Sequence, residues 1–401
     1  MWDNLPTEIS TDILHRLGVK TLIKCTILSK SFLSLIASPD FISTHIAQHT
    51  NSQLLLRYFT LDNKEIYHFE PDDDTFSGFR SQGLLIPFHN NCFTVAGCVN
   101  GVLCLVDDFG GHEGTLIILW NPSIRKFVHV PRPIMVFKTH GPYQSACGFG
   151  FDSISDDYKV VRVVDLDTVH WKNPQTTRPP TQVEVFSLKT GCWRVIGDGP
   201  SYLIKRHDSE YRGYIPCFSN GSVYWVGYHH KYVILKFHMS TETFEILQVP
   251  EILTENESTF TRDMDLYVEE CKGNLTLIQR NYNDAIKTCN VWLMKEDGVA
   301  KSWTKMFDFD IAKLHPCAMP RAFGFRKNGE VIIVKGGHNI YSGGRNENVV
   351  TSTDVVTHED TALKEISVDC FSLYLSTYVE SMVLFKEGKG IGEQTTQLDL
   401  F

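Results

Sequence analysis

The spacing of apolar residues changes near residue 50 of the chain. Before that point, apolar side chains such as Ile9, Ile13 and Leu17 recur every four positions, which places them on one face of an α-helix. After it, short runs rich in β-branched and aromatic residues are separated by Gly, Asn, Asp and Pro, which is typical of β-strands joined by turns. The pattern therefore predicts a small α-helical unit followed by a large, mainly β domain.

Three short helices are predicted in the N-terminal unit. The first begins near Pro6 and stops at Gly18. The second and third carry the apolar positions from Leu22 to Leu28 and from Phe32 to Ile36, and a further turn or two completes the unit. A unit of about 45 residues cannot hide this many apolar side chains among its own helices, so a partner surface is implied.

The segment LPTEISTDILHRLGVKTLIKCTILSKSFLSLIASPDFISTHI, over residues 5–46, resembles the F-box. It supplies the motif residues of that family in order: Leu5, Pro6, Glu8, Ile13, Leu14, Arg16, Leu17, Val19, Lys20, Leu22, Ser29, Lys30, Leu35, Ile36, Pro39 and Phe41. The resemblance implies docking to a Skp-type adaptor, which would connect the chain indirectly to cullin and RING subunits. The alternative for the same apolar stripe is a small helical cap packed on the rest of the chain.

The side chains that we expect to form the F-box core and its adaptor-binding surface are Leu5, Pro6, Ile9, Ile13, Leu14, Leu17, Val19, Leu22, Leu28, Phe32 and Ile36. Two positions depart from the family pattern, because Gly18 replaces the usual proline and Phe32 replaces the usual tryptophan. We expect Gly18 to loosen the junction between helices and Phe32 to keep a smaller aromatic plug. Adaptor binding is therefore expected to be retained at reduced strength.

A weak repeat runs through the β region. Units begin with a turn and an apolar strand at Asn100-Gly101, Asn220-Gly221, Gly273-Asn274 and Asn328-Gly329. The first two starts are 120 residues apart, and the next steps are 52 and 56 residues, so the period is near 55. Four-stranded units of this length are typical of propeller blades, and we expect about six of them, with a two-sheet β-sandwich as the alternative.

The same region resembles the kelch-like, type 1 F-box-associated domain of plant F-box proteins. The likeness is carried by LWNPSIRKFVHVP (119–131), CGFGFDSISDDYKVVRV (147–163), VEVFSLKTGCWRVI (183–196), SNGSVYWVG (219–227) and YVESMVLF (378–385). No Gly-Gly doublet recurs in each unit, which departs from ordinary kelch repeats. The expected organisation is an F-box over residues 1–48, a propeller-like domain over 53–386 and a flexible C-terminal tail over 387–401.

Composition narrows the classes of function. A net charge of -9 argues against nucleic acid as a partner, and no apolar run approaches the length of a membrane span. The N-terminus lacks the basic and apolar segments of a signal peptide. The 11 cysteines include no CxxC pair, so we expect reduced thiols in a cytoplasmic and/or nuclear protein.

The candidate chemical groups do not favour an enzyme. The acidic run from Asp72 to Asp74 is expected to be a solvated turn, and Asp152 a turn or blade-locking acceptor, because the other ligands of a calcium loop are missing. Adjacent His229 and His230 point to opposite faces of a strand and cannot easily share a metal ion. The tryptophans expected in the core are Trp120, Trp193, Trp225, Trp292 and Trp303. We therefore expect no catalytic residues, no cofactor and no metal.

The residues and the resemblances together predict the non-catalytic, substrate-recognition subunit of a Skp–cullin–F-box ubiquitin ligase, with a protein target held by the C-terminal domain. Two alternatives stay open. The first is an F-box protein that acts with a Skp adaptor outside a cullin ligase, and the second is a propeller lectin or enzyme with a helical cap. The sequence does not identify the target-binding residues.

Overall fold

The structure is a computed structural model. It describes residues 6–49, 52–59, 64–72, 84–85, 93–107, 115–140, 143–166, 180–204, 216–229, 231–253, 264–283, 286–295, 302–310, 321–336, 348–353, 360–366, 374–386 and 389–390.

The N-terminal unit contains four α-helices: α1 (Thr7–His15), α2 (Val19–Leu28), α3 (Lys30–Ile36) and α4 (Pro39–Gln48). The three predicted helices are present, and the predicted further turn or two is a full helix of 10 residues. Serine side chains start the last two helices. Ser29 Oγ accepts the N–H of Phe32 at 3.1 Å, and Ser38 Oγ accepts the N–H of Phe41 at 3.3 Å. Gly18 precedes α2 rather than ending α1.

In the described part of the chain, six antiparallel β-sheets follow the helices, and we number them as blades in chain order. Blade 1 contains β1 (Gln53–Phe59), β2 (Glu65–Pro71) and β3 (Leu84–Leu85). Blade 2 contains β4 (Thr94–Val99), β5 (Val102–Asp107), β6 (Leu116–Asn121) and β7 (Lys126–Val130). Blade 3 contains β8 (Gln144–Asp152), β9 (Asp157–Asp165), β10 (Gln182–Ser187) and β11 (Cys192–Asp198).

Blade 4 contains β12 (Leu203–Ile204), β13 (Cys217–Ser219), β14 (Ser222–His229), β15 (Lys231–His238) and β16 (Thr243–Gln248). Blade 5 contains β17 (Met264–Cys271), β18 (Asn274–Asn283), β19 (Ile286–Met294) and β20 (Trp303–Asp310). Blade 6 contains β21 (Arg321–Phe325), β22 (Val331–Gly336), β23 (Asn348–Thr353) and β24 (Asp360–Ile366). A short helix, α5 (Phe137–His140), lies between blades 2 and 3, and a 3-10 turn (Glu251–Leu253) lies between blades 4 and 5.

Two strands near the C-terminal end return to the first two blades. β25 (Tyr374–Tyr378) pairs with β1, and β26 (Lys389–Gly390) pairs with β7 at the outer edge of blade 2. The innermost strands contact one another in turn, from β25 through β4, β8, β13, β17 and β21 back to β25. The blades therefore form a closed, propeller-like ring, which confirms the predicted fold and excludes the two-sheet sandwich. Of the expected flexible tail, the described pair Lys389–Gly390 is a strand, and residues 391–401 lie outside the described residues.

Tight turns at one face of the ring explain the repeat in the sequence. The innermost strand joins the second strand through two residues with positive φ in blades 2, 4 and 5: Asn100 (49°) and Gly101 (77°), Asn220 (46°) and Gly221 (71°), and Lys272 (51°) and Gly273 (80°). Positive φ at both central residues defines a type I′ turn, which Asn and Gly favour because they tolerate that conformation. The predicted period therefore marks the same turn in blades 2, 4 and 5. We call the end of the ring that carries these turns the turn face.

The hydrophobic core lies between neighbouring blades. Val185 of blade 3 shares one buried cluster with Trp225 and Leu235 of blade 4. Tryptophans also tie the outer strands together, since Trp193 Nε1 donates to the carbonyl of Pro131 at 2.7 Å, at the end of the preceding blade. The five tryptophans predicted in the core are buried or half-buried, as each sits inside or beside such a cluster: Trp120, Trp193, Trp225, Trp292 and Trp303.

Two arginine–glutamate pairs are buried inside the blades. Arg57 contacts Glu65 at 2.6 Å, and Arg162 contacts Glu184 at 2.5 Å with both side chains 0% exposed. Glu184 also accepts the backbone N–H of Met135 at 3.2 Å. Through this contact, the Arg162–Glu184 pair also fixes the connection between blades 2 and 3 to the strands of blade 3.

Candidate functional site

The four helices share a core that residues from the C-terminal end of the chain complete. The side chains buried in it are Leu14, Val19, Leu22, Ile36, Phe41 and Met382. Ile124, in the turn between β6 and β7, and Phe385 pack against the same cluster. The helical unit therefore sits on the turn face of the ring at blade 2.

Helix α4 extends this contact to the next blade. Ile42 and Ile46 pack against the buried cluster between blades 2 and 3, which contains Val99 and Val383. The helices thus do pack on the rest of the chain, as the cap interpretation expects. That packing uses only part of their apolar surface.

Among the described residues 6–49, four large apolar side chains are exposed to solvent. The exposed fractions are 82% for Ile27, 71% for Leu28, 48% for Ile9 and 41% for Leu33. Ile27, Leu28 and Leu33 lie within seven residues of chain, at the end of α2 and on α3, and these two helices are in contact. A group of exposed apolar side chains on contacting elements marks an interaction surface.

The structure divides the predicted site residues between the core and this surface. Leu14, Val19, Leu22 and Ile36 are buried; Ile13, Leu17 and Phe32 are half-buried; Pro6, Ile9 and Leu28 are exposed; and Leu5 lies outside the described residues. The sequence prediction omitted Ile27 and Leu33. The sequence carried no signal for these two positions, because adjacent helical residues such as Ile27 and Leu28 can both lie on an apolar face, so helical spacing does not separate docking positions from core positions.

Gly18 does not use the freedom of glycine. Its φ of -66° and ψ of 155° lie in the extended region, and an added Cβ would meet nothing within 4 Å. This φ is the one that proline imposes. The expected loosening therefore has no cause in the folded geometry, and any cost lies in the unfolded chain. Phe32 packs half-buried against the helical core, as expected for an aromatic plug.

A stack of rings lies between α1 and α4. The ring of His15 is 4.1 Å from that of Phe41, and the ring of His45 is 3.9 Å from that of His49. His45 is 1% exposed, and its Nε2–H donates a hydrogen bond to the carbonyl oxygen of Leu17 at 2.9 Å. Burial lowers the pKa of His45 and of His15.

A cleft of about 430 Å³ separates the end of the stack from blades 1 and 6. His45 and His49 form one wall, and Asp72, Lys327 and Glu380 contribute to the others. The junction between the helices and the ring is therefore polar at this cleft and apolar at Met382.

Asp72 is not the solvated turn residue that the acidic run predicted. Its carboxylate is buried and accepts Arg326 Nε at 2.8 Å and the backbone N–H of Lys327 at 2.7 Å. Arg326 follows β21, so the ion pair joins blade 6 to blade 1. Asp73 and Asp74 lie outside the described residues.

Asp152 is a turn and blade-locking acceptor, as predicted. It accepts Ser155 Oγ at 2.6 Å and Lys159 Nζ at 2.7 Å, and Lys159 reaches the carboxylate of Glu242 in blade 4 at 3.0 Å. His229 ends β14, and His230 lies outside the described residues. Among the residues that the structure describes, no three His, Cys, Asp or Glu side chains are grouped to hold a metal ion.

The cysteines that the structure describes are free thiols. Those buried in the ring are Cys104, Cys147, Cys217, Cys271 and Cys289. Within the described ranges, no helix combines the length and the apolar character needed to cross a bilayer.

Comparisons with solved structures find low similarity. The WD40 domain of SCAP from fission yeast gives a TM-score of 0.39 at 6% identity, covering 80% of this chain and 88% of that one. TolB from Acinetobacter baumannii gives 0.36 at 11% identity, covering 82% and 72%. Scores of this size support no inference about this chain.

Comparisons of sequence are decisive. The F-box domain model matches residues 2–44, and the F-box associated beta propeller domain model matches residues 55–341. F-box protein CPR1 of Arabidopsis thaliana is 30% identical over 318 residues, 76% of this chain and 72% of that protein. F-box protein At4g22390 of the same plant is 28% identical over 324 residues, 75% and 73%. The chain therefore belongs to the plant F-box proteins that carry a C-terminal F-box-associated β-propeller domain.

Proposed function

We propose that this protein is the substrate-recognition subunit of a Skp–cullin–F-box ubiquitin ligase. The observation that carries the proposal is the exposed apolar surface of the F-box formed by Ile9, Ile27, Leu28 and Leu33. These side chains leave water only if a partner covers them, and a stable partner interface buries about 1,600 Å². A Skp-type adaptor is the partner that the F-box family implies.

The role proposed for the chain is not catalytic. It brings a target lysine close to the ubiquitin-charged enzyme, which raises the effective concentration of the two reactants. Cullin and RING subunits would be reached through the adaptor. The compartment that we propose is the cytoplasm and/or the nucleus, because thiols buried without disulfide partners suit a reducing environment. A fluorescent fusion found in the secretory pathway would contradict that location.

The test of adaptor binding is a pull-down with a plant Skp-type adaptor and a cullin. The variant Ile27→Asp with Leu28→Asp places two charges on exposed positions, so the fold is kept while the docking surface is changed. We expect adaptor binding at least about tenfold weaker, since a few central residues carry most of an interface's energy.

The matched control is Ile154→Asp, at a side chain 83% exposed in the turn between β8 and β9. It should bind adaptor like the unchanged protein. Full-length protein that captures neither partner would refute the proposal. Capture of the adaptor without cullin would favour the alternative, an F-box protein that acts outside a cullin ligase.

The target site is proposed to lie on the face of the ring opposite the turn face. The F-box occupies the turn face, so the opposite face is left for a second protein. Three described side chains there are large, apolar and exposed: Ile134 at 46%, Leu166 at 40% and Ile252 at 60%. They lie in the connections that leave β7, β9 and β16 at that end. A rigid ring can present such connections as a binding surface.

The test of the target face uses Ile252→Asp in proximity labelling of the full-length protein. Proteins labelled by the unchanged chain and lost with the variant are target candidates, provided that adaptor binding is retained. An unchanged set of labelled proteins for Ile252→Asp, Ile134→Asp and Leu166→Asp would exclude this part of the face.

A further inference from the structure

One stretch near the C-terminal end, residues 374–385, contacts both domains, and we call it the clasp. Its first part is β25, which pairs with β1 and so joins the two ends of the ring; Leu55 lies opposite Ser376 in that register. Its second part runs from Val379 to Phe385 between blade 2 and the F-box. One continuous stretch therefore closes the ring with its first part and contacts the F-box with its second.

Hydrogen bonds hold the second part of the clasp on blade 2. Asn121 is 0% exposed, and its amide donates to the carbonyl oxygens of Ser381 at 3.0 Å and Val383 at 2.8 Å. Ser381 Oγ donates to the carbonyl of Asn100 at 2.6 Å. Since Asn121 is at the end of β6, the backbone of the clasp has a fixed position relative to the ring.

The side chains of the clasp are divided between the two domains. Met382 is 1% exposed and lies in the F-box core with Leu14 and Leu22, and Phe385 packs against the same core. Val383 and Leu384 lie in the cluster between blades 2 and 3. The clasp thus supplies one of the buried side chains of the F-box and is anchored by its neighbours in the propeller.

The F-box needs this side chain more than a larger domain would. Its described part is some 44 residues, 6–49, and units of this size are marginal without an added contact. The F-box also precedes the clasp along the chain, so it is synthesised before the clasp. A chain whose propeller is unclosed therefore has an F-box with an incomplete core.

We propose that the F-box becomes competent for adaptor docking only when the clasp has closed the propeller. Adaptor recruitment is then coupled to completion of the target-binding domain, and a chain without a closed ring is kept out of the ligase. This inference rests on the proposed adaptor binding. The apparent affinity for the adaptor is proportional to the fraction of chains whose F-box is folded, so it falls as that fraction falls.

The first test compares Met382→Asp with Met306→Asp in the full-length protein, by calorimetric titration with a plant Skp-type adaptor. Met306 is 36% exposed on β20, so its variant makes the same chemical change away from the clasp. We expect Met382→Asp to bind at least about tenfold more weakly and Met306→Asp to bind normally. Met382→Leu should restore binding to within a few-fold, because it conserves volume.

The second test displaces the clasp from the propeller side. Gly101 has φ +77°, and a Cβ there would press on the carbonyl oxygen of Val379 and lie 2.7 Å from Ser381 Oγ. Gly221 occupies the same kind of turn in blade 4 with φ +71° and nothing within 4 Å. Gly101→Ala and Gly221→Ala therefore share the backbone strain, and only the first moves the clasp. We expect adaptor binding to weaken in Gly101→Ala alone.

The outcomes distinguish a failure of the coupling from a failure of the proposed adaptor binding on which it rests. If the unchanged protein does not bind adaptor, the proposed function fails. If the unchanged protein binds and both Met382→Asp and Gly101→Ala bind equally well, the F-box is competent without the clasp and the coupling is refuted. Loss of binding in Gly221→Ala as well as Gly101→Ala would assign the effect to turn strain and also refute it.

Discussion

The F-box and the propeller hold their apolar side chains in opposite ways. The F-box buries few of them and leaves Ile27 82% and Leu28 71% exposed at the end of α2. From blade 1 to blade 6, in contrast, each blade shares a buried cluster with the next, as Val185 and Leu235 do between blades 3 and 4. The difference shows that the propeller is stabilised internally, whereas the F-box has a core that the clasp completes and a second apolar surface that stays exposed.

The two regions also differ in how they bury polar groups. The propeller buries charges in pairs, as in Arg162 with Glu184, while the F-box buries neutral imidazoles, as in His45. Arginine stays protonated over the whole range of pH in which histidine titrates. A buried neutral imidazole loses its stabilising contribution as the pH falls, because it must then take up a proton.

The largest expected effect is in the propeller. Arg162→Met leaves the Glu184 carboxylate buried without its 2.5 Å partner, which should lower the free energy of unfolding by about 3–5 kcal/mol. The measurement is guanidinium unfolding followed by tryptophan fluorescence. Combining Arg162→Met with Glu184→Gln removes the unpaired charge and should recover a large part of the loss. A double variant no more stable than the single one would show that packing, and not charge, is responsible.

The second largest effect is the difference in stability between variants at a buried and at an exposed position of the F-box. Leu22 is 0% exposed and Ile27 is 82% exposed on the same helix. Leu22→Ala should lower the stability of the F-box by about 2–5 kcal/mol, whereas Ile27→Ala should change it by less than about 0.5 kcal/mol. Amide hydrogen exchange over α1 to α4 measures both. Equal effects at the two positions would mean that the F-box surface is covered in the free protein.

The third effect is a difference in pH dependence. Burial lowers the pKa of His45, although the Leu17 carbonyl raises it, and His49 and His15 lower it further. The folded F-box therefore binds fewer protons than the unfolded chain, so the contribution of His45 is present above pH ~6.5 and is lost as the pH falls below that value.

The propeller group to compare is Asp152. Burial opposes ionisation, but hydrogen bonds from Lys159, Ser155 and Ile154 lower its pKa to about 2. Its contribution is present above pH ~3.9 and is lost as the pH falls towards 2. Hydrogen exchange measured from pH 7 to pH 4.5 should show the F-box loosening while the propeller stays protected. His45→Gln should flatten that dependence, and loosening of both domains together would contradict the assignment.

The smallest effect concerns Gly18. Because its φ is -66°, Gly18→Pro fits the folded backbone and restricts only the unfolded chain. We expect about 0.4–1 kcal/mol of added F-box stability, measured by thermal unfolding. A decrease would indicate that Leu17 cannot adopt the conformation that a following proline requires.

The local features of both domains were predictable from the sequence. The helical stripe depends on residues three and four apart, and the blade turns depend on Asn and Gly at adjacent positions such as Asn220-Gly221, which tolerate positive φ. Which of the predicted site residues are buried and which are exposed was less predictable. Leu14 and Ile27 look alike in sequence, and only the packing of α4 and the clasp decides which is buried.

The sequence by itself determined the two regions, the blade period and the family motif, because each depends on neighbours within a few residues or on a repeated local pattern. The tertiary structure alone decided that Met382 completes a core made by Leu14 and Leu22, and that Asp72 pairs with Arg326. These partners are more than 250 residues apart along the chain, and no local pattern records which surfaces meet when the ring closes. These contacts form because closure of the ring places β25 beside β1 and the residues after β25 against the F-box.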